Sequence, residues 1–292
     1  MTPLRVPLLL LSDVDGTLLS DEGTLPASPA ALRDKLGHVA AEWGGPVHLG
    51  LASSRTLREL TVLQRALGLP GPCIAEDGAR HALDVATIPD GVHTTNIEQH
   101  GRRTLRTFEH ALTATELRAR MQDEPAFIRA DTQQQPFGAL QALGFRTRAA
   151  VRRALHARTH SVLLDPHEWS PPELSHLREV SAARGLQLRR GGRWFTLTTA
   201  GGKGPALCAL RHQFGNNGVV PLVVAIGNEE NDVSLLAEAD RGFVIRNPHR
   251  GPHPVLSALP GVVVLDAEGA GGWMEMLDRL VPCVLPLLGA PR

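Results

Sequence analysis

The sequence predicts an α/β protein with a doubly wound, mostly parallel, Rossmann-like sheet and an inserted α+β domain. Two observations lead to this fold class. Residues 8–83 alternate apolar strand-like runs with helical stretches, and a similar alternation returns from residue 193. Between these two parts, short strands and helices follow no regular order. Alternating strands and helices are typical of parallel sheets, and an irregular middle segment indicates an insertion.

The chain is long enough for two domains. Its 292 residues exceed the size at which a single hydrophobic core is favoured. We predict one core domain formed by residues 1–83 together with residues 191–292. The inserted domain is predicted over residues 84–190.

Composition argues against several classes of function. The formal net charge is zero, so there is no general electrostatic attraction to nucleic acid or to an anionic membrane. The apolar run near residue 8 is too short to span a membrane, and it lacks the features of a signal peptide. The three cysteines, Cys73, Cys208 and Cys283, lie far apart and form no metal-binding pair. We therefore expect a cytoplasmic protein without disulfides.

The first core segment contains three predicted strands. Residues 8–12 are four leucines and a serine, a run that is typical of a parallel strand buried on both faces. Ser28 followed by Pro29 predicts the start of a helix that ends near residue 43. Thr56 starts a second predicted helix, which ends before Gly68. The other two strands are predicted at residues 47–52 and 72–75.

The other two segments are predicted from the same kinds of signal. Thr113 and Glu116 form a capping-box pattern that starts one helix of the insertion. The predicted strands of the insertion are residues 127–130, 162–164 and 186–189, and its helices are residues 113–123, 147–158 and 172–184. In the last segment the predicted strands are residues 194–198, 221–227, 243–245 and 262–265, and the helices are residues 204–214, 232–239 and 272–280.

Two aspartates directly follow the first strand. Asp13 and Asp15 are separated by one residue, with Gly16 and Thr17 immediately behind them. Ligands of open α/β sheets bind at the carboxyl ends of the strands. Two acids placed there are costly unless a cation lies between them, and a divalent metal ion with a phosphate ester suits both. One aspartate can then act as a nucleophile and the other as an acid and base.

Two further segments supply groups that bind phosphoryl oxygens. Ser53, Ser54 and Arg55 follow the second strand, where a hydroxyl and backbone N–H groups can hold such an oxygen. A helix cap is the alternative interpretation of Ser53. Lys203 lies in a glycine-flanked turn, and the only other lysine in the chain is Lys35. A compact ammonium group suits a phosphoryl oxygen and a carboxylate together.

A fourth segment supplies oxygen ligands. The apolar strand at residues 221–227 runs into Asn228, Glu229, Glu230, Asn231 and Asp232. Hard oxygen donors at such a point suit Mg²⁺ rather than zinc. The alternative interpretation of the two glutamates is a helix N-terminus, which favours acidic residues.

In this order, the four segments resemble the motifs of the haloacid dehalogenase superfamily: Asp-x-Asp-Gly-Thr, a strand-end serine, a lysine and Gly-Asn-x-x-Asn-Asp. The insertion between the second and third motifs resembles the type C2 cap of that superfamily, subtype B. The resemblance extends over the whole chain. Softer features are similar to the mannosyl-3-phosphoglycerate phosphatases, namely residues 52–56, the Glu76-Asp77-Gly78-Ala79 turn and the late Gly271-Gly272-Trp273.

The resemblance implies a Mg²⁺-dependent phosphatase that acts through an aspartyl-phosphate. Asp13 would be the nucleophile and a metal ligand. Asp15 would protonate the leaving oxygen, activate water and bind the metal ion through its backbone carbonyl. Ser53 and Lys203 would hold the phosphoryl group. The expected substrate-binding residues are Thr17, Ser54 and Arg55.

One residue departs from the family pattern. The superfamily usually has an aspartate, a direct Mg²⁺ ligand, where this chain has Asn228. An amide oxygen can still bind the metal ion, but the loss of a negative charge is expected to weaken it. Asp232 is expected to bind the metal ion or to orient a ligand, and Glu229 is a second carboxylate that can compensate.

The expected substrate is a small phosphorylated sugar or sugar-acid, most specifically mannosyl-3-phosphoglycerate. The predicted cap is rich in arginine and has no lysine, which suits a substrate with both phosphate and carboxylate. The alternative interpretation, which we favour for most of these arginines, is a solvated surface. Two alternatives stay open. One is a broad-specificity sugar-phosphate phosphatase with the same cap subtype. The other is a catalytically weak binding or regulatory protein, which Asn228 suggests.

Overall fold

The computed structural model describes residues 6–84, 96–100, 103–131, 158–191, 194–215 and 220–289. They form two compact units, one within Met1–Phe108 and Gly202–Arg292 and the other within Glu109–Gly201. The predicted α/β fold class with a mostly parallel sheet is confirmed. The predicted domain boundaries at residues 84 and 190 stay a prediction, and residues 147–157 of one predicted helix lie outside the described residues.

The first unit is built on the larger sheet. Its strands in chain order are β1 (Leu8–Ser12), β2 (Val47–Ala52), β3 (Cys73–Ala75), β4 (Arg80–Asp84), β5 (Asn96–His100), β6 (Arg103–Glu109), β10 (Leu222–Gly227), β11 (Arg241–Arg246) and β12 (Val262–Glu268). Their spatial order is β12-β11-β10-β1-β2-β3-β4-β6-β5. The pairs from β12 to β3 are parallel, whereas β3 with β4 and β5 with β6 are antiparallel.

Helices cover both faces of this sheet. They are α1 (Pro29–Trp43), α2 (Leu57–Leu67), α6 (Lys203–Gly215), α7 (Val233–Glu238), α8 (Pro254–Ser257) and α9 (Gly269–Val284). Leu8 and Leu10 belong to one apolar cluster, and Leu9 and Leu11 belong to a second. Successive side chains of a strand point to opposite faces, so β1 is buried on both sides, as its leucine run predicts. Within the described residues, no helix has the length and apolar character needed to cross a bilayer.

Within its described residues, the second unit combines three helices with a three-stranded antiparallel sheet. The helices are α3 (Ala114–Met121), α4 (Pro125–Ala130) and α5 (Pro171–Ala183), and the strands are β7 (Val162–Leu164), β8 (Gln187–Gly191) and β9 (Trp194–Thr198). The strand β9 lies in the middle, between β7 and β8. Thr113 caps α3 through the predicted capping box, in which its hydroxyl accepts from the backbone N–H of Glu116.

Two sequence-based expectations are wrong. Residues 127–130 form the end of helix α4 instead of a strand, because Pro125 occupies a first-turn position and presets the helical φ. Residues 194–198 form a strand, but it pairs antiparallel with β7 and β8 and does not continue the parallel sheet. A periodic pattern identifies a strand without identifying its partners.

The parallel register of three strands places the predicted chemical groups at one edge of the sheet. Ser12, the last residue of β1, pairs with Leu51 of β2 and with Ile226 of β10. The residues that follow these strands therefore leave the sheet together, as expected for the carboxyl ends of an open α/β sheet. This edge carries Asp13, Ser53 and Asn228.

Candidate active site

The centre of the site is a buried cluster of one lysine and two aspartates. Nζ of Lys203 donates to Oδ1 of Asp13 at 2.7 Å and to Oδ1 of Asp232 at 2.6 Å. Lys203 and Asp232 are fully buried, and Asp13 is 5% exposed. When all three groups are ionised, the cluster has one more negative than positive charge. Buried charges are tolerated only when they are paired and hydrogen-bonded, so this surplus favours a cationic partner.

The surroundings of Asp13 oppose its ionisation. Burial is the largest cause, the charge of Asp232 adds to it, and Lys203 offsets part of both, so that the pKa of Asp13 rises to about 7. Burial also disfavours the charged form of Lys203. The attraction of Asp13 and Asp232 outweighs that burial, so the pKa of Lys203 is raised and the lysine stays protonated.

Asp232 is held on both of its carboxylate oxygens. Oδ1 accepts from Lys203, and Oδ2 accepts from the backbone N–H groups of Asn228 at 3.0 Å and Glu229 at 3.2 Å. The carboxylate of Glu229 forms an ion pair with Arg250. The carboxylates of Asp232 and Glu229 thus already have partners within the protein. The hydrogen bonds of Asp232 suit a residue that orients Lys203 and the backbone of residues 228–229.

A side-chain relay runs behind Asp13. Nε1 of Trp273, on helix α9, donates to Oγ of Ser12 at 3.0 Å, and this hydroxyl donates to the backbone carbonyl of Asp13 at 2.6 Å. Ser12 and Trp273 are fully buried. The relay ties the last long helix to the peptide unit of Asp13, which fixes the start of the turn after β1.

Asp15 is exposed and binds Arg55. Nε and Nη2 of Arg55 donate to the two oxygens of Asp15 at 2.9 and 2.6 Å, a bidentate arrangement. The side chains are 32% and 51% exposed, respectively, so solvent screens the pair. The hydrogen bond to Asp15 is the main cause that raises the pKa of Arg55.

The strand-end serine is buried beside its own turn. Ser53 is 1% exposed, and its hydroxyl accepts from the backbone N–H of Arg55 at 3.2 Å. Helix α2 is capped by Thr56, whose hydroxyl accepts from the N–H of Glu59, so Ser53 does not serve as its cap. Ser54 is partly exposed in the same turn.

Two buried oxygens near the Asp13 turn have no hydrogen-bond partner among the described residues. They are Oγ1 of Thr17 and Oδ1 of Asn228. The amide of Asn228 packs tightly on Gly16, where a built Cβ would lie 2.3 Å from its Nδ2 atom, and Gly16 has a φ of 75°. Only glycine meets both demands. Because buried polar atoms are normally paired, these two oxygens suit a ligand or a metal ion.

The structure brings together Asp13, Lys203 and Asp232 by direct contact, and it places Asn228, Ser53 and the Asp15–Arg55 pair at the same sheet edge. The sequence analysis assigns no role to three residues of these surroundings, which are Ser12, Asp77 and Trp273, and it includes Asn231 only as a member of the oxygen-rich segment 228–232. The Glu-Asp-Gly turn contains Asp77 and the Gly-Gly-Trp segment contains Trp273, but in the sequence these features indicate only a resemblance to a family and no role for either residue.

Known proteins share sequence and fold with this chain. No family model matches it. The glucosyl-3-phosphoglycerate/mannosyl-3-phosphoglycerate phosphatase of Persephonella marina is 24% identical over 283 residues, which cover 94% of this chain and 97% of that protein.

Two solved structures are similar along nearly their whole length. A haloacid dehalogenase-like hydrolase from B. subtilis is 17% identical with a TM-score of 0.60, and the match covers 93% of this chain and 99% of that one. A phosphatase of the haloalkanoate (HAD) enzyme superfamily from Bacteroides thetaiotaomicron is 17% identical with a TM-score of 0.59, and covers 96% and 98%. These relatives confirm the predicted enzyme class. The chain has the fold of the haloacid dehalogenase superfamily and resembles the phosphatases of that superfamily along almost its whole length.

Proposed function

We propose that the chain is a Mg²⁺-dependent phosphomonoester hydrolase that acts through an aspartyl-phosphate, with mannosyl-3-phosphoglycerate as its substrate. The observation that carries this proposal is the contact of Lys203 with Asp13 at the carboxyl end of β1. A nucleophilic carboxylate beside a fixed ammonium group suits phosphoryl transfer, in which positioning and charge neutralisation supply most of the catalysis.

The proposed reaction has two displacements at phosphorus. An oxygen of Asp13 attacks, the bond from phosphorus to the substrate oxygen breaks, and Asp15 gives that oxygen a proton. Asp15 then takes a proton from water, and the water oxygen attacks the phosphorus of the aspartyl-phosphate. Phosphate leaves and Asp13 is regenerated. Lys203 and Ser53 hold the phosphoryl oxygens in both steps.

The Asp15–Arg55 pair implies a change when substrate binds. Arg55 donates to both oxygens of Asp15, so both oxygens of the proposed acid are already engaged. Protonation of the leaving oxygen needs a protonated Asp15. We propose that an anionic group of the substrate competes for Arg55 and releases Asp15. Thr17 and Ser54 are the other proposed substrate-binding residues.

The residues present fit a magnesium ion. Its proposed ligands are Asp13, the backbone carbonyl of Asp15 and the buried Oδ1 of Asn228, which has no partner among the described residues. All are hard oxygen donors. Asp232, whose oxygens are all engaged, is proposed to orient the site. When bound, the metal ion supplies positive charge that neutralises the phosphoryl oxygens and the surplus charge of the cluster.

The substrate proposal rests on the relative from Persephonella marina and on the arginine-rich segment at residues 84–190. In a panel of phosphomonoesters, we expect the kcat/KM for mannosyl-3-phosphoglycerate to exceed the values for sucrose phosphate and glucose 6-phosphate by more than about tenfold. This ratio corresponds to ~1.4 kcal/mol of transition-state binding. EDTA is expected to abolish release. A smaller preference favours the broad-specificity alternative. We also propose a cytoplasmic location, which the absence of a disulfide at Cys73, Cys208 and Cys283 supports.

Asn228 tests the alternative of a catalytically weak protein. We expect Asn228→Asp to lower the Mg²⁺ concentration for half-maximal phosphate release about tenfold, because it adds a negative charge to the ligand set, with kcat within about threefold of the parent. The matched control is Asn247→Asp, which adds the same charge to the loop after β11. A kcat that rises a hundredfold in Asn228→Asp would instead identify a decayed active site.

A further inference from the structure

A strained turn between β3 and β4 joins the site segments. Glu76 and Asp77 have φ values of 51° and 54°, and among the described residues they are the non-glycine residues with positive φ. Both are 1% exposed. Such conformations are unfavourable for residues other than glycine and persist only where the surrounding structure imposes them. Strain of this kind points to a role for the turn beyond connecting two strands.

The turn holds the segment after β2 through its backbone. The N–H of Glu76 donates to the carbonyl of Arg55 at 2.9 Å, and the N–H of Asp77 donates to the carbonyl of Ser53 at 3.1 Å. These two bonds fix the peptide units that present the proposed phosphoryl-binding serine and the partner of Asp15.

The same turn packs on the segment that carries Lys203. A Cβ built on Gly78 would lie 2.0 Å from the carbonyl oxygen of Gly202 and 3.1 Å from the backbone nitrogen of Lys203. Gly78 has a φ of 92°. The two backbones therefore meet at a distance that no side chain at residue 78 permits.

Asp77 reaches the fourth segment with its side chain. Its Oδ1 accepts from Nδ2 of Asn231 at 3.0 Å, while its Oδ2 is buried without a hydrogen-bond partner among the described residues. A half-paired buried carboxylate is costly, so stability alone does not explain it.

We propose that Asp77 is a positioning residue, which sets the place of Lys203 relative to the 228–232 turn through its hydrogen bond to Asn231. This inference rests on the proposed phosphatase function, since it concerns the geometry of that site. Asp77 touches neither substrate nor metal ion in this scheme. It acts by joining the strained turn, which packs on Gly202, to the residue before Asp232.

The test is a double-mutant cycle on the full chain, with p-nitrophenyl phosphate turnover and binding of inorganic phosphate by calorimetry as the two readouts. Asp77→Ala and Asn231→Ala are each expected to lower kcat at least tenfold, with KM within twofold. The kcat of the double variant should lie no more than threefold below that of the less active single variant, because the two substitutions remove the same interaction. Asp77→Asn keeps an oxygen acceptor for Asn231, so its kcat should be within threefold of the parent value. Across the variants, the affinity for inorganic phosphate should fall and recover in parallel with kcat.

Asp240→Ala is the matched structural control. Asp240 pairs with Arg211 and accepts from the N–H of Val223, at the opposite end of β10 from the site. We expect it to lower the free energy of unfolding with kcat unchanged. Any of three results would overturn the proposal: a kcat of Asp77→Ala within threefold of the parent, a loss of kcat in the double variant equal to the product of the two single losses, or a kcat of Asp77→Asn as low as that of Asp77→Ala. A parent protein without phosphatase activity would refute the proposed function instead, and phosphate binding by the variants would then still test the positioning role.

Discussion

Asp13→Asn is expected to abolish phosphate release while the protein stays folded. The amide cannot form an aspartyl-phosphate, because its nitrogen and its carbonyl oxygen are poor nucleophiles at phosphorus. Removal of a covalent nucleophile lowers kcat by about 10³-fold or more in other enzymes. The amide oxygen can still accept from Nζ of Lys203, which lies 2.7 Å from the carboxylate in the parent. The structural change is therefore small compared with the chemical one.

Two measurements separate the chemical effect from a folding effect. Denaturant unfolding should give Asp13→Asn a stability close to that of the parent. Acid-quenched parent enzyme should carry a phosphate adduct on the peptide with Asp13, detectable by mass spectrometry, and Asp13→Asn should lack it. Asp240→Asn serves as a control for the same change far from the site. Full turnover by a folded Asp13→Asn protein would show that Asp13 is not the nucleophile.

Local sequence signals predicted the elements that present the site. The four leucines of β1 are apolar on both faces, and the structure buries both. Thr56 and Glu59 form the capping box at the start of helix α2. Such signals are local, since hydrophobic alternation and caps act within a few residues of the chain. They identified which strand ends carry chemical groups, and the motif order indicated that these ends belong to one site.

Side-chain contacts between segments far apart in the sequence could not be predicted from those local signals. Arg55 and Asp15 are 40 residues apart in sequence, and their bidentate pair depends on the rotamers that both side chains adopt. The hydrogen bond of Asn231 to Asp77 spans 154 residues. The positive φ of Glu76 runs against the preference of a glutamate, so no local pattern indicates it, whereas aspartate is among the residue types that more often adopt the positive φ seen at Asp77. Contacts of this kind follow from the assembled fold and not from local propensity.

Lys203→Met is expected to destabilise the protein strongly as well as to inactivate it. Methionine has similar length but no charge, so Asp13 and Asp232 would stay buried without their shared cation. Removal of one partner from a buried ion pair costs about 3–5 kcal/mol in the free energy of unfolding. We also expect kcat to fall at least about 10²-fold, because the ammonium group neutralises charge on the transferring phosphoryl group. Denaturant unfolding and p-nitrophenyl phosphate turnover measure the two effects.

The chain supplies its own control in Lys35, the other lysine. Lys35 pairs with Asp278 at the surface, where the two side chains are 32% and 59% exposed. Lys35→Met is expected to cost no more than about 1 kcal/mol, since solvent screens an exposed pair, and to leave turnover unchanged. Equal losses of stability in the two variants would contradict the buried cluster.

A second substitution tests the cause of the loss. If the penalty in Lys203→Met comes from unpaired negative charge, then removing one of the two carboxylates should reduce it. We therefore expect the Lys203→Met/Asp13→Asn double variant to be more stable than Lys203→Met, although neither has activity. A cost that arises from lost packing of the lysine stem would be the same in both backgrounds. A double variant that is more stable than Lys203→Met therefore indicates an electrostatic cost, and equal free energies of unfolding indicate a cost from packing.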